Sequence, residues 1–162
     1  MVMTLAQFLS ETALHTWIVG QAWLWPVLEI THFIGLTLLI GGLLVVDLRV
    51  LGVSASTPLL ATYRLLPLVL MGFGLNLISG VFFSVGDPFR YAANIGFQAK
   101  MVLVLLAGAN AFYHHIIITP LLIGLEEGAR TPAVAKISAA VSLLAWSAVL
   151  LLGRLIPYVG TG

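Results

Sequence analysis

The sequence contains no cysteine. This absence excludes disulfide bonds, iron–sulfur clusters and metal sites built from thiolates. It also excludes c-type haem, whose covalent attachment requires Cys-x-x-Cys-His. Any metal ion or haem must therefore be held by histidine, methionine or another side chain with a nitrogen or oxygen ligand.

Charged residues are also scarce. Lys, Arg, Asp and Glu together make up 8% of the 162 residues, whereas 60% are hydrophobic. Ordinary soluble domains carry about a quarter charged residues. The net charge of +1 provides no basic surface, so we exclude nucleic acid as a partner. The composition predicts an integral membrane protein in contact with the lipid bilayer.

The apolar residues form four long segments, each near the ~20 residues that cross a bilayer as a helix. The sequence therefore predicts an all-α membrane protein, a four-transmembrane-helix bundle that occupies one membrane domain over residues 1–162. A segment that mixes polar and apolar residues at three- and four-residue spacings precedes it, which is typical of an amphipathic interfacial helix. We place this helix at about 4–20 and the spans at about 27–49, 63–83, 97–123 and 133–156.

The cations near the helix ends predict the orientation. Four flank the two short connections and three lie on the side of the termini. The positive-inside rule then places both termini outside the cytoplasm. The four cations are Arg49, Arg64, Arg130 and Lys136, and the three are Arg90, Lys100 and Arg154.

The first span carries Glu29 and His32, which lie three residues apart on one helical face. His32 is ~9 Å inside the membrane by helical rise, and ionisable residues at such depth are functional candidates by default. Gly35, Leu39 and Gly42 follow on its face and leave few bulky groups, as a flat macrocycle requires. The pattern favours haem b bound by His32. The alternative is a histidine hydrogen-bonded to a neighbouring helix. Glu29 either orients the imidazole, accepts a proton, or is an interfacial carboxylate.

Three cations are expected at the level where haem propionates would emerge. These are Lys100, Arg154 and Arg90, and pairing of carboxylates with Arg and Lys is the usual arrangement. Each of them also fits the role of an interfacial anchor.

The third span places Lys100, Asn110 and His114 on one broad face. His114 is the second candidate metal ligand, but its estimated depth differs from that of His32 by ~15 Å. We therefore expect that the two histidines do not share one iron and that they serve separate sites. Met101 and His15 are further candidates for the sixth ligand of a haem at His32.

Several of these residues also match the sequence pattern of a known family. The chain resembles a family of short bacterial four-span membrane proteins with Glu-x-x-His-x-x-Gly in the first span, here Glu29, His32 and Gly35, followed by Asp47-Leu48-Arg49-Val50-Leu51-Gly52. Phe97-Gln98-Ala99-Lys100, the segment 110–114 and the segment 153–158 extend the match.

More distantly, the chain is similar to the four-helix bacterial protoporphyrinogen oxidases and to copper-resistance membrane domains. The resemblance implies a bacterial inner membrane, with both termini in the periplasm. It also implies a bound haem b and points to His32, Lys100 and His114. The Tyr-Leu-Pro-Arg stretch of the oxidases is replaced by Val45-Val46-Asp47-Leu48-Arg49, so porphyrinogen oxidation is not expected.

The function predicted from these features is electron transfer by a haem b protein between the quinone pool and a periplasmic redox partner. Such a protein would act as the membrane anchor of an oxidoreductase, with protein partner subunits or as a homo-oligomer. Two other classes stay open. One is a transporter of a metal ion or small solute, with a polar path lined by Glu29, His32, Asn76, Asn110 and His114. The other is a cofactor-free structural subunit.

Overall fold

The computed structural model describes residues 2–53, 56–125 and 130–159. These residues form helices and turns, with no strand among them. Four helical segments are long and apolar enough to span a membrane, so the prediction of an all-α four-span membrane bundle is confirmed. The helices are α1 Val2–Ser10, α2 Ala13–Val19, α3 Leu24–Leu51, α4 Leu59–Tyr63, α5 Leu66–Gly86, α6 Pro88–Ala93, α7 Ile95–Tyr113, α8 Thr119–Ile123 and α9 Ala133–Leu155.

The N-terminal segment forms two short helices rather than the one predicted over 4–20. The break lies at Thr12, whose side chain accepts a hydrogen bond from the backbone N–H of His15 at 3.1 Å. Its hydroxyl also donates to the carbonyl of Leu9 at 2.6 Å. A threonine with such local bonds caps a new helix instead of continuing the old one. Both helices pack on the end of α5, beside α6.

The spans begin and end at recognisable signals. The first span, α3, ends at Gly52, which has a φ of 96° and whose N–H bonds the carbonyls of Leu48 and Arg49. This left-handed C-cap is one that glycine adopts without strain. The second span comprises α4 and α5, and Pro67 stands in the first turn of α5, where its missing N–H costs no hydrogen bond.

The third span contains a π-helical turn. It runs from α7 through a π-turn at His114–Ile118 into α8. Pro120 follows immediately, and proline removes a backbone donor and crowds the carbonyl four residues earlier. The N–H of Thr119 instead reaches the carbonyl of His114, five residues back. Such π-turns rotate the side chains around them and occur often at functional sites.

α3 is the central helix of the bundle. It packs against α5 on one side and α9 on the other, and α7 packs on α9. α5 and α7 have no comparable packing against each other. The buried core that joins the spans is formed by Leu39, Val69, Ala107, Trp146 and Val149.

Glycines bring α3 and α5 into backbone contact. A Cβ added to Gly72 would lie 2.6 Å from the carbonyl oxygen of Gly35, and one added to Gly35 would lie 2.8 Å from the carbonyl oxygen of Gly72. Small residues allow such close approach between membrane helices. Gly42 likewise faces Val69 of α5. The glycine surface that the sequence suggested for a macrocycle is therefore covered by α5.

We predict that Gly72→Ala lowers the midpoint of thermal unfolding in detergent, followed by tryptophan fluorescence. The new methyl group must push two backbones apart, and overpacking of this kind costs about 1–3 kcal/mol. Gly74→Ala is the matched control, because a Cβ there meets nothing within 4 Å. Equal midpoints for the two variants would contradict the close contact.

Candidate functional site

The side chain of His32 is held by a serine on the neighbouring span. Its Nδ1 lies 2.8 Å from Oγ of Ser79, which is fully buried on α5. Ser79 Oγ is also 2.6 Å from the carbonyl oxygen of Leu75. Two oxygens at this distance need a hydrogen between them, and only the hydroxyl can supply it. Nδ1 of His32 therefore carries its own hydrogen and donates it to Ser79.

This tautomer leaves Nε2 of His32 with a free lone pair. No hydrogen bond to Nε2 is formed by any residue that the structure describes. The imidazole ring is half-buried and meets the ring of Phe83 edge-on, with 5.6 Å between the ring centroids. The ring thus has a fixed orientation and one unused nitrogen.

Lys100 is the cation of the His32 site. It is half-buried, its Nζ lies beside the backbone of Gly153 on α9, and its charge acts on the imidazole of His32. The described residues form one ion pair, Arg90 with Asp87 at 3.9 Å, so among them Lys100 has no carboxylate partner. We use the term His32 site for His32, Ser79 and Lys100.

The other two predicted cations contact their own segments. Arg154 is exposed, with its guanidinium 5.4 Å from the ring centroid of Tyr158 and 3.5 Å from the hydroxyl of that residue. Arg90 is exposed and pairs with Asp87 in the preceding turn. Of the three cations predicted to bind the haem propionates, Lys100 is thus the one whose charge acts on His32.

Glu29 is not the residue that orients His32, because the single N–H of the neutral imidazole ring is donated to Ser79. Glu29 is exposed, and its charge acts on Tyr91 of α6. Burial raises the pKa of Tyr91 above its usual range; the charge of Arg90 opposes this shift, and those of Asp87 and Glu29 add to it. Glu29 therefore belongs to the interface region around α6.

The second predicted ligand, His114, lies in a different polar network. Its Nδ1 is 3.0 Å from Oγ of Ser138, and its Nε2 is 3.2 Å from the hydroxyl of Tyr63. Asn110 donates to the carbonyl of Ser138 at 3.1 Å and accepts from the Ser138 hydroxyl at 3.2 Å. We call Tyr63, Asn110, His114 and Ser138 the His114 network. His115, the next residue, is exposed.

Both ring nitrogens of His114 form hydrogen bonds within the His114 network. The Ser138 hydroxyl donates to Asn110, so Nδ1 of His114 donates to Ser138, and Nε2 accepts from Tyr63. Both ring nitrogens are therefore occupied. In this arrangement His114 offers no lone pair to a metal ion, in contrast to His32.

The two histidines are far apart along the membrane normal. Tyr63 lies within range of the charge of Asp47, so the His114 network stands near the level of Asp47. His32 and Asp47 are both on α3, and their spacing in the sequence corresponds to ~22 Å of helical rise. This spacing keeps the His32 site and the His114 network distinct.

The remaining candidate ligands lie elsewhere. The Met101 side chain is exposed on the outer surface of α7. His15 donates from Nδ1 to the carbonyl of Val85 at 2.8 Å and so joins α2 to the end of α5. The described residues contain no group of three or more His, Asp or Glu side chains that could hold a metal ion. The described residues thus provide no cluster of ligating side chains beside His32 or His114, and metal binding by either histidine stays a prediction.

We predict that Ser79→Ala destabilises the bundle by about 1–3 kcal/mol, because it leaves the Nδ1–H of His32 without an acceptor. Ser84→Ala is the control: Ser84 also bonds a carbonyl of its own helix, that of Gly80, but no other span. In a His32→Ala background the effect of Ser79→Ala should vanish. Thermal unfolding of the wild type, the three single variants and the double variant checks this. An undiminished effect of Ser79→Ala in the His32→Ala background would refute the bond.

Comparison of the chain with protein-family models, with curated proteins and with solved structures finds no match. The similarity to haem-binding membrane proteins stated from its motifs therefore stays a prediction.

Proposed function

We propose that this protein is a haem b-binding membrane subunit that transfers electrons between a quinone pool and a redox partner at the membrane face nearer His32. The observation that carries the proposal is the free Nε2 of His32, opposite an Nδ1–H that Ser79 holds at 2.8 Å. Histidines that ligate haem iron or metal ions almost always donate their other ring N–H in this way. We also propose that this membrane face is periplasmic and that the protein associates with partner subunits.

Two features of the residues around His32 support the binding of a haem. Nε2 supplies the iron ligand, and Lys100 is a half-buried cation without a carboxylate partner among the described residues. A haem propionate would provide the missing anion. The glycine surface of α3 does not contribute, because α5 covers it. We propose that the macrocycle lies between α5 and α7, which pack against each other much less than α3 packs against α5.

Each residue of the site has a definite role in this proposal. When bound, haem supplies reversible one-electron exchange at its iron. His32 binds it, Ser79 fixes the ring orientation and the tautomer, and Lys100 holds an anionic side group. The apolar side chains of the core beneath, such as Leu39 and Val149, exclude water. A quinone is the electron carrier that suits these surroundings, because it is soluble in the bilayer.

We predict that the protein purified from haem-replete cells shows a b-type absorption spectrum, oxidised and dithionite-reduced. His32→Ala should abolish this spectrum, because no other described histidine of the bundle interior has a free ring nitrogen. His115→Ala, at an exposed position, should retain it. Haem retained by His32→Ala, or its absence from the wild-type protein, would contradict the proposal.

A second prediction concerns the cations. Lys100→Gln should weaken haem retention roughly tenfold or more, since a charge-assisted hydrogen bond contributes about 1.5–3 kcal/mol. Arg154→Gln is the control, because the guanidinium of Arg154 contacts Tyr158 instead. The measurement is transfer of haem to apomyoglobin. Equal rates of haem loss from the two variants would show that Lys100 does not contribute to haem binding.

A further inference from the structure

One buried carboxyl group remains outside the His32 site. Asp47 lies on α3 near its C-terminal end, and its side chain is 3% exposed, between Val46 and the fully buried Val50. Its Oδ2 is buried and has no hydrogen-bond partner among the described residues. From the sequence alone, Asp47 and Arg49 are expected to fix the end of the first span by pairing with Arg64 or with each other. The proposed electron transfer does not use Asp47.

The groups that face Asp47 are polar but carry no fixed positive charge. From α9, the hydroxyl of Ser142 lies beside the carboxyl group. From α4, Tyr63 lies within range of its charge, and behind Tyr63 stands His114, whose two nitrogens are both hydrogen-bonded. Thr119 of α8 is close to the Tyr63 hydroxyl. The carboxyl group therefore lies beside the Ser142 hydroxyl, with Tyr63 within range of its charge and the His114 imidazole behind Tyr63.

The nearby cations are used elsewhere or exposed. Arg49, two residues further along α3, donates from Nε to the carbonyl of Thr57. Arg64, Arg130 and Lys136 are exposed, and the ion pair found among the described residues is that of Arg90 with Asp87. No cation of the described chain thus neutralises Asp47.

An ionised carboxylate in these surroundings is costly. An unpaired charge removed from water inside a protein costs several kcal/mol even after relaxation. A divalent cation would need several oxygen ligands of high charge, whereas the described residues around Asp47 supply a single carboxyl group. A proton needs only one oxygen. Uptake of a proton by Oδ2 converts the carboxylate into a neutral carboxylic acid and removes the charge completely.

We propose that Asp47, together with Ser142, Tyr63 and His114, forms a buried proton-binding site at the end of the bundle opposite the His32 site. The proton comes from the aqueous phase beside the short connections and joins Oδ2. On release it returns to that phase, and the carboxylate left behind is stabilised by the Ser142 hydroxyl. The site lies ~22 Å from His32 along α3, and it does not depend on whether haem is bound.

The test is infrared spectroscopy of the purified protein in lipid, recorded in H2O and in D2O at neutral pH. Exposed carboxyl groups are ionised under these conditions, so a carbonyl-stretch band of a protonated carboxylic acid that shifts in D2O is expected from Asp47. Asp47→Asn should remove this band. Asp87→Asn is the matched control, because Asp87 lies outside the spans and is paired with Arg90, and it should leave the band unchanged.

A milder variant covers the case in which Asp47→Asn does not fold. Ser142→Ala removes the hydroxyl beside the carboxyl group and should move the band to higher wavenumber, because the carbonyl loses a hydrogen bond. The band should also be independent of Na⁺, K⁺ and Mg²⁺. Absence of the band from the wild-type protein, its persistence in Asp47→Asn, or its loss on addition of one of these cations would overturn the proposal.

Discussion

The close backbone contact between α3 and α5 determines where the functional groups of this protein lie. It is formed by Gly35 and Gly72, and neither position has space for a methyl group. His32 lies one helical turn before Gly35, and Ser79 lies two turns after Gly72, so the antiparallel helices bring these two side chains to 2.8 Å. Without this contact the imidazole would have neither a fixed orientation nor a defined tautomer. The free nitrogen on which the proposed function rests is thus a consequence of helix packing.

A bilayer offers no water to buried polar groups, and the protein meets this constraint with two separate networks. At one end, His32 donates to Ser79 and keeps one nitrogen free. At the other, His114 uses both nitrogens, in bonds to Ser138 and Tyr63. Between them lies an apolar layer that includes Phe73 and Trp146, whose rings meet edge-on at 6.1 Å. The two histidines therefore differ in chemistry as well as in depth.

Composition and hydropathy were sufficient to predict the four spans, because the physical rule that governs them is local: about 20 apolar residues per crossing. The break at Thr12 was missed because a threonine continues or caps a helix depending on its local hydrogen bonds. The extension of α3 to Leu24–Leu51 was also missed, since helix ends respond to caps rather than to hydropathy.

The site was only partly predictable. His32 and Lys100 were identified from their depth, and in the structure the charge of Lys100 acts on the imidazole of His32. Glu29, on the same helix, was one candidate acceptor for the ring, and a neighbouring helix was the alternative. The acceptor is Ser79 of the second span, 47 residues away, and the identity of a partner on another span requires knowledge of the helix contact. Gly35 and Gly42 were predicted to form a small-residue face of the first span that contacts a macrocycle. They do lie on one face, but this face packs against α5. Asp47 was assigned to fixing the helix end, because burial cannot be read from one helix alone.

The central claim is that one nitrogen in the bundle interior, Nε2 of His32, is available to bind haem iron. The most direct measurement is the haem content of the purified wild-type protein, determined as the pyridine haemochrome and divided by the protein concentration. The account predicts one haem b per chain. A protein that is folded, is purified from haem-replete cells and contains no porphyrin would contradict it.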